Sequence, residues 1–302
     1  MEARSKFLRN LLLVGLLLGP ASGPAIAQVQ ISQHVDASGK ITVAVFERVA
    51  GTPQQHFTDF AVNVPEQFVV IGGGVEGSRV PNGHLITASY PNSDLSAWLV
   101  STKDHYYRYP DPVAIKAWAI GLKIAGLTRQ QLISMMAVNV ASSGYDSQPD
   151  ISSGVPENYV LLSGGIKVNY TEPGNIATAS YPETSYTWRA RSKDHILTSP
   201  ASTQVYAIGL KQSIPGIGSI AVTTIATDST YTNHPASTAN MTPGYALTGC
   251  GARVDWAEPG NLLWKIKPAT TGNQYGCEAS SKDHHYASPA TIRTYATGIT
   301  LY

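Results

Sequence analysis

A short polar motif recurs three times in this chain, as Thr102-Lys103-Asp104-His105, Ser192-Lys193-Asp194-His195 and Ser281-Lys282-Asp283-His284. Each copy leads through a proline into a similar closing segment. These segments are Ala117-Trp118-Ala119-Ile120-Gly121-Leu122, Val205-Tyr206-Ala207-Ile208-Gly209-Leu210 and Thr294-Tyr295-Ala296-Thr297-Gly298-Ile299. Such a period constrains the fold more than any local propensity, because each copy must bury its apolar face within itself or against the next copy. It also bears on function. One chemical step rarely needs three copies of its site, whereas linked binding sites gain avidity.

Further landmarks fall in the same order. Val64-Pro65-Glu66 precedes Gly72-Gly73-Gly74, Val155-Pro156-Glu157 precedes Ser163-Gly164-Gly165, and Thr242-Pro243-Gly244 precedes Gly249-Cys250-Gly251. Turns follow at Asn82-Gly83, Pro173-Gly174 and Pro259-Gly260. Thr87-Ala88-Ser89-Tyr90-Pro91 is duplicated at 178–182 and diverges to Trp264-Lys265-Ile266-Lys267-Pro268 in the third copy. The repeats span 41–124, 134–212 and 218–302, after an N-terminal segment at 28–40. Each has the size of a small domain, on the order of 80 residues.

The local signals are those of strands. Residues 67–75 are rich in β-formers and run into glycines suited to a bulge or a close backbone approach. In the second repeat, alternation sets Trp188, Ala190 and Ser192 on one face and Arg189, Arg191 and Lys193 on the other. The Trp face is then the core face, with Asp194 inward at the strand end and Lys193 in water. The closing strand likewise sets Trp118, Ile120, Leu122 and Ile124, read as core, against the small Ala117, Ala119 and Gly121. That flat face invites a neighbouring sheet or repeat; a shallow ligand platform is the alternative. Leu127 to Met136 is the one candidate helix. The expected fold is all-β: three tandem antiparallel β-sandwich-like repeats about a pseudo-threefold axis.

Both cysteines fall in the third repeat. Cys250 occupies the place of Gly73 and Gly164, and Cys277 that of Trp98 and Trp188. A Trp needs a glycine opposite to make room, and a disulfide fills the same gap. The substitution pattern therefore predicts a Cys250–Cys277 bond, which suits an exported protein.

The N-terminus reads as an export leader. Arg4, Lys6 and Arg9 precede a short apolar run at Leu11–Leu18, and Ala25-Ile26-Ala27 forms a cleavage site before Gln28. The run is too short to span a bilayer. The expected location is secreted, periplasmic or extracellular, with no membrane span. Of 21 Lys and Arg and 20 Asp and Glu, 18 and 19 remain beyond residue 27. A near-neutral chain lacks the basic footprint of nucleic-acid binding.

The recurring Lys-Asp-His is the main polar constellation. Three readings compete. It can be a structural corner, because Asp caps backbone N–H groups at turns. It can be part of a ligand site. Least favoured, it can serve catalysis, because neighbouring strand residues such as Lys103 and Asp104 point to opposite faces. Converging Asp–His pairs could offer metal ligands, but no spacing requires it, and neither metal nor cofactor is expected. His34, His56, His84, His234 and His285 read as solvated loop residues. Sixteen tyrosines and five tryptophans, against five phenylalanines, supply rings with polar tips suited to sugars and protein partners. Tyr106, Tyr107 and Tyr109 follow the first corner, and His285-Tyr286 the third.

The expected protein is non-enzymatic and binds a glycan or a cell-surface protein multivalently. The candidate contacts are Lys103, Asp104, His105, Tyr106, Tyr107, Tyr109, Lys193, Asp194, His195, Lys282, Asp283, His284, His285 and Tyr286. A structural or assembly role with no small ligand is the first alternative, and an Asp/His hydrolase the second. Over a handful of residues, Trp118-Ala119-Ile120-Gly121 resembles the terminal strand of H-type lectin domains, small sandwiches that work in threes. That resemblance carries no binding residues over.

Overall fold

A computed structural model describes residues 28–79, 83–104, 111–271 and 274–302. After the N-terminal strand β1 (Val29–Val35), the first repeat forms β2 (Ile41–Val49), β3 (His56–Asn63), β4 (Val69–Glu76), β5 (Leu85–Pro91), β6 (Ala97–Lys103) and β7 (Lys116–Ile124). A short helix α1 (Arg129–Ser134) falls where the sequence places one, and starts with a capping box from Thr128 and Gln131. The second repeat forms β8 (Met136–Ser142), β9 (Asp150–Gly154), β10 (Tyr159–Asn169), β11 (Asn175–Pro182), β12 (Thr187–Asp194) and β13 (Ser202–Lys211). After the two-residue β14 (Ser213–Ile214) come β15 (Gly218–Asp228), β16 (Ala236–Asn240), β17 (Ala246–Asp255), β18 (Asn261–Thr271), β19 (Gln274–Asp283) and β20 (Thr291–Leu301).

Each repeat divides its six strands between two packed layers. These are β2-β7-β4 with β3-β6-β5, β8-β13-β10 with β9-β12-β11, and β15-β20-β17 with β16-β19-β18. The layers then continue into the next repeat. β5 pairs with β10, setting Ile166 opposite Ser89; β11 pairs with β17, setting Ala179 opposite Arg253; β18 pairs with β4, setting Ile266 opposite Val75. Three antiparallel sheets of seven, six and seven strands result, with β1 and β14 extending two edges. The architecture is all-β and three-part, and each sheet is shared by two repeats.

The glycine-rich strands close the ring. β4, β10 and β17 each shift register at the same place, between Val70 and Gly72, Leu161 and Ser163, and Leu247 and Gly249. There the Ser163 hydroxyl donates to the Ile71 carbonyl, and the Thr248 hydroxyl donates to the Leu162 carbonyl at 2.7 Å. A Cβ on Gly72 would overlap the Thr248 carbonyl. Each bulge thus rests on the next around the centre, and a side chain at Gly72 would part them. Leu85, Ile176 and Leu262, at equivalent positions, form a small buried cluster of their own.

Within each sandwich, Trp98 lies over Gly73 and Trp188 over Gly164, so that a Cβ on either glycine would overlap the indole. Their Nε1–H groups donate to Ser89 at 2.8 Å and Ser180 at 2.9 Å. In the third repeat, Cys250 and Cys277 form the disulfide, with Cα atoms 5.5 Å apart. Gly73 pairs with Ala119 across the ladder. The small face of the closing strand is therefore covered by the indole of the opposing layer.

Two sequence expectations need correction here. Trp118, Tyr206 and Tyr295 leave the sandwich interior and serve the joints between repeats. Tyr206 packs beside Tyr90 at 5.1 Å, Tyr295 stacks on Tyr181 at 5.3 Å, and Lys267 sits 5.4 Å over the Trp118 ring. The alternation was right, but the outer face of each sheet is covered at the joints. His34 and His84 are buried rather than solvated. His34 stacks on Tyr275 and accepts the Leu247 N–H at 2.8 Å, while His84 sits 2.9 Å from the Thr102 hydroxyl.

Candidate functional site

The Lys-Asp-His corners lie at the junctions between repeats, and their three side chains do separate jobs. The aspartates hold their own corners. Asp104 accepts the Asp111 N–H at 3.1 Å, Asp194 the Ser199 N–H at 3.0 Å and Asp283 the Ser288 N–H at 3.3 Å. These bonds tie each strand end to the loop that returns to the closing strand, which is the local capping the residue type favours.

The lysines reach into the following repeat. Lys103 Nζ is 2.7 Å from Glu172 and donates to the Pro173 carbonyl. Lys193 Nζ is 3.1 Å from Glu258 and donates to the Pro259 carbonyl at 2.6 Å. Lys282 closes the cycle by donating to the carbonyls of Ser78, at 3.0 Å, and Gly83 in the first repeat. All three are buried. The expectation that Lys193 faces water is therefore corrected. It belongs to the outer face of its sandwich, as alternation requires, but the Glu258-Pro259-Gly260 turn of the next repeat covers that face. Glycine is required in these turns. Gly174 and Gly260 have φ of +107° and +113°, and a Cβ would come within 2.5 Å and 2.9 Å of the respective lysine Nζ atoms. Burial lowers the Lys103 pKa, opposed by Glu172, and pushes Lys282 down to about 7.

His195 is buried, with Nδ1 3.0 Å from the Pro259 carbonyl and Nε2 2.7 Å from the His284 carbonyl. Its ring meets that of His284 edge-on at 5.5 Å. Burial lowers its pKa, opposed by the hydrogen bonds to the two carbonyls, and a neutral ring has one N–H to donate to either of them. The structure thus brings Lys193 and His195 onto the same turn of the third repeat. His285 and Tyr286 stay exposed at the tip, in the position that Ile196 and Leu197 fill in the second repeat. His105, Tyr106, Tyr107 and Tyr109 lie outside the described residues.

Sequence reasoning missed an open cleft of about 610 Å³ between the second and third repeats. Arg191 and Asp150 line it from the second repeat, and Tyr231, Asp255 and Trp256 from the third. Trp256 is half-buried and lies over the Lys193 ammonium, whose Nζ is 4.7 Å from the ring. Tyr231 is 67% exposed. Asp150 holds Arg191 at 3.0 Å and Arg189 at 2.6 Å. Asp255 holds Arg253 at 2.9 Å. The only sequence signals were an exposed aromatic before the third corner strand and a Trp two residues before Glu258; neither recurs unchanged in all three repeats.

Among the described residues, no cluster of three or more His, Cys, Asp or Glu side chains is arranged to hold a metal ion. No helix among them is long and apolar enough to cross a membrane. Comparison with models of known protein families and with curated proteins matched nothing to this chain.

Proposed function

We propose that this is a secreted, non-enzymatic protein that binds carbohydrate, or a carbohydrate-bearing surface partner, at the seams between its repeats. The observation that carries the reading is the cleft where Tyr231 and Trp256 meet Arg191, Asp150 and Asp255. Flat apolar rings beside paired charges suit a ligand that has both C–H faces and hydroxyls. Tyr145 and Tyr170 occupy the corresponding positions of the preceding seam, so a pair of rings, without the same charges, is available there as a second point of attachment. The bonds made by Lys193, Asp194 and His195 account for those side chains without turnover, which supports a binding role over hydrolysis.

The test is binding of the chain from Gln28 onward to an array of neutral, acidic and sulfated glycans. Binding that falls when Tyr231 and Tyr145 are changed to Ala supports the reading. A correctly folded chain that binds no glycan overturns it. A second reading, assembly without a small ligand, draws on the exposed Ile196, Leu197 and Tyr286 at the corner tips. Concentration-dependent self-association lost on Leu197→Ser would favour it.

A further inference from the structure

We infer that the cleft between the second and third repeats takes one neutral pyranose ring, stacked on Trp256 and walled by Tyr231. The inference rests on the carbohydrate reading above and makes it specific.

The aromatic surface comes prepared. Lys193 stands beneath Trp256, and is itself fixed by Glu258 at 3.1 Å and by the Pro259 carbonyl at 2.6 Å. Gln148 crosses the seam to the same carboxylate, donating to Glu258 at 3.0 Å. The indole therefore stands on a fastened ion pair that spans both repeats, and little ordering remains to be done on binding.

The charges in the cleft select for neutrality. Of the charged residues that line it, Arg191 pairs with Asp150 at 3.0 Å, and Asp255 pairs with Arg253 at 2.9 Å. A carboxylated or amino sugar would meet both signs of charge at once and gain little net attraction. A hydroxyl meets no such repulsion. A carboxylate has acceptor capacity beyond the bonds that Asp255 already makes, and a guanidinium has five N–H donors, so both can share a hydroxyl with an intact pair.

The same comparison explains why this seam differs from the others. At the position of Arg191 the other repeats have Ser101 and Ser280; at that of Asp255, Asn169 and Ser78; at that of Trp256, Tyr170 and Arg79. The full set of ring, acceptor and donor falls at one seam.

The test is titration of the chain from Gln28 onward by saturation-transfer NMR. The probes are the methyl glycosides of glucose, galactose, mannose and N-acetylglucosamine, set against glucuronic acid, N-acetylneuraminic acid and glucosamine. At least one neutral glycoside should bind. Tyr231→Ala and Trp256→Ala should each weaken it roughly ten-fold, the scale of a buried aromatic contact. Tyr145→Ala, at the other seam, should leave it unchanged. Trp256→Phe, which keeps a ring over Lys193, serves if Trp256→Ala does not fold, and should lose less affinity than Tyr231→Ala. Binding confined to charged sugars, or neutral binding untouched by Tyr231→Ala, overturns the inference while carbohydrate binding stands. A folded chain that binds none of these probes and no arrayed glycan overturns both.

Discussion

Lys193, on a strand of the second repeat, carries its ammonium to within 3.1 Å of Glu258 in the third. Its partners are unequal: Glu258 is 63% exposed, whereas the Pro259 carbonyl meets the ammonium in the buried seam. Lys193→Met removes the ammonium from that carbonyl, leaving it only the His195 ring at 3.0 Å, and should cost about 1–3 kcal/mol. Glu258→Gln removes a solvent-screened charge and should cost at most about 1 kcal/mol. Urea unfolding of the two variants measures the difference, and equal losses would mean that the ion pair rather than the carbonyl bond holds the seam.

The disulfide of the third repeat replaces a Gly, Trp and Ser set. Closing a segment of 27 residues, it should contribute roughly 3–4 kcal/mol, lost in Cys250→Ser/Cys277→Ser. Restoring Cys250→Gly and Cys277→Trp alone should recover little, because Ile266 stands where Ser89 and Ser180 accept the indole N–H. Adding Ile266→Ser should gain about 1–3 kcal/mol over that pair by satisfying a buried donor. Thermal unfolding of the set checks the order.

Two glycines of the second repeat should respond oppositely to one added methyl. Gly164→Ala drives a Cβ into Trp188 and the Tyr206 carbonyl, and should cost about 3 kcal/mol or more. Gly144 has no heavy atom near its Cβ position, and Gly144→Ala should shift stability by less than about 0.5 kcal/mol. Denaturant midpoints separate them.

Burial lowers the pKa of His34 and of His84 from 6.5 to about 4. The unfolded chain therefore binds these protons first on acidification. The stabilisation is complete above about pH 6.5 and is lost as pH falls toward 4, on the order of 2–3 kcal/mol for each ring. His34→Gln keeps an acceptor for the Leu247 N–H and should flatten the loss between pH 6.5 and 4.5. An unchanged slope would place the acid sensitivity elsewhere.

The triplication, the strands and the Cys250–Cys277 bond were legible because each left a sequence mark: a period, an alternation, and a paired substitution at matching positions. Alternation also placed Lys193 on the outer face of its sandwich. It could not show that the outer face is covered, because periodicity reports which side a residue faces and not what stands there. His34 was illegible for the same reason; its acceptor role depends on Leu247, far along the chain. The cleft escaped notice because Arg191, Asp255 and Trp256 are departures from the repeat, and a reading built on repetition weights what recurs.

Amide hydrogen exchange in Lys193→Met tests most directly whether the repeated polar motif fastens neighbouring repeats together. Faster exchange is expected at residues 256–261 of the third repeat, with the β11–β12 hairpin of the second repeat retaining its protection. Unchanged exchange at 256–261, or loss confined to β11–β12, would contradict it.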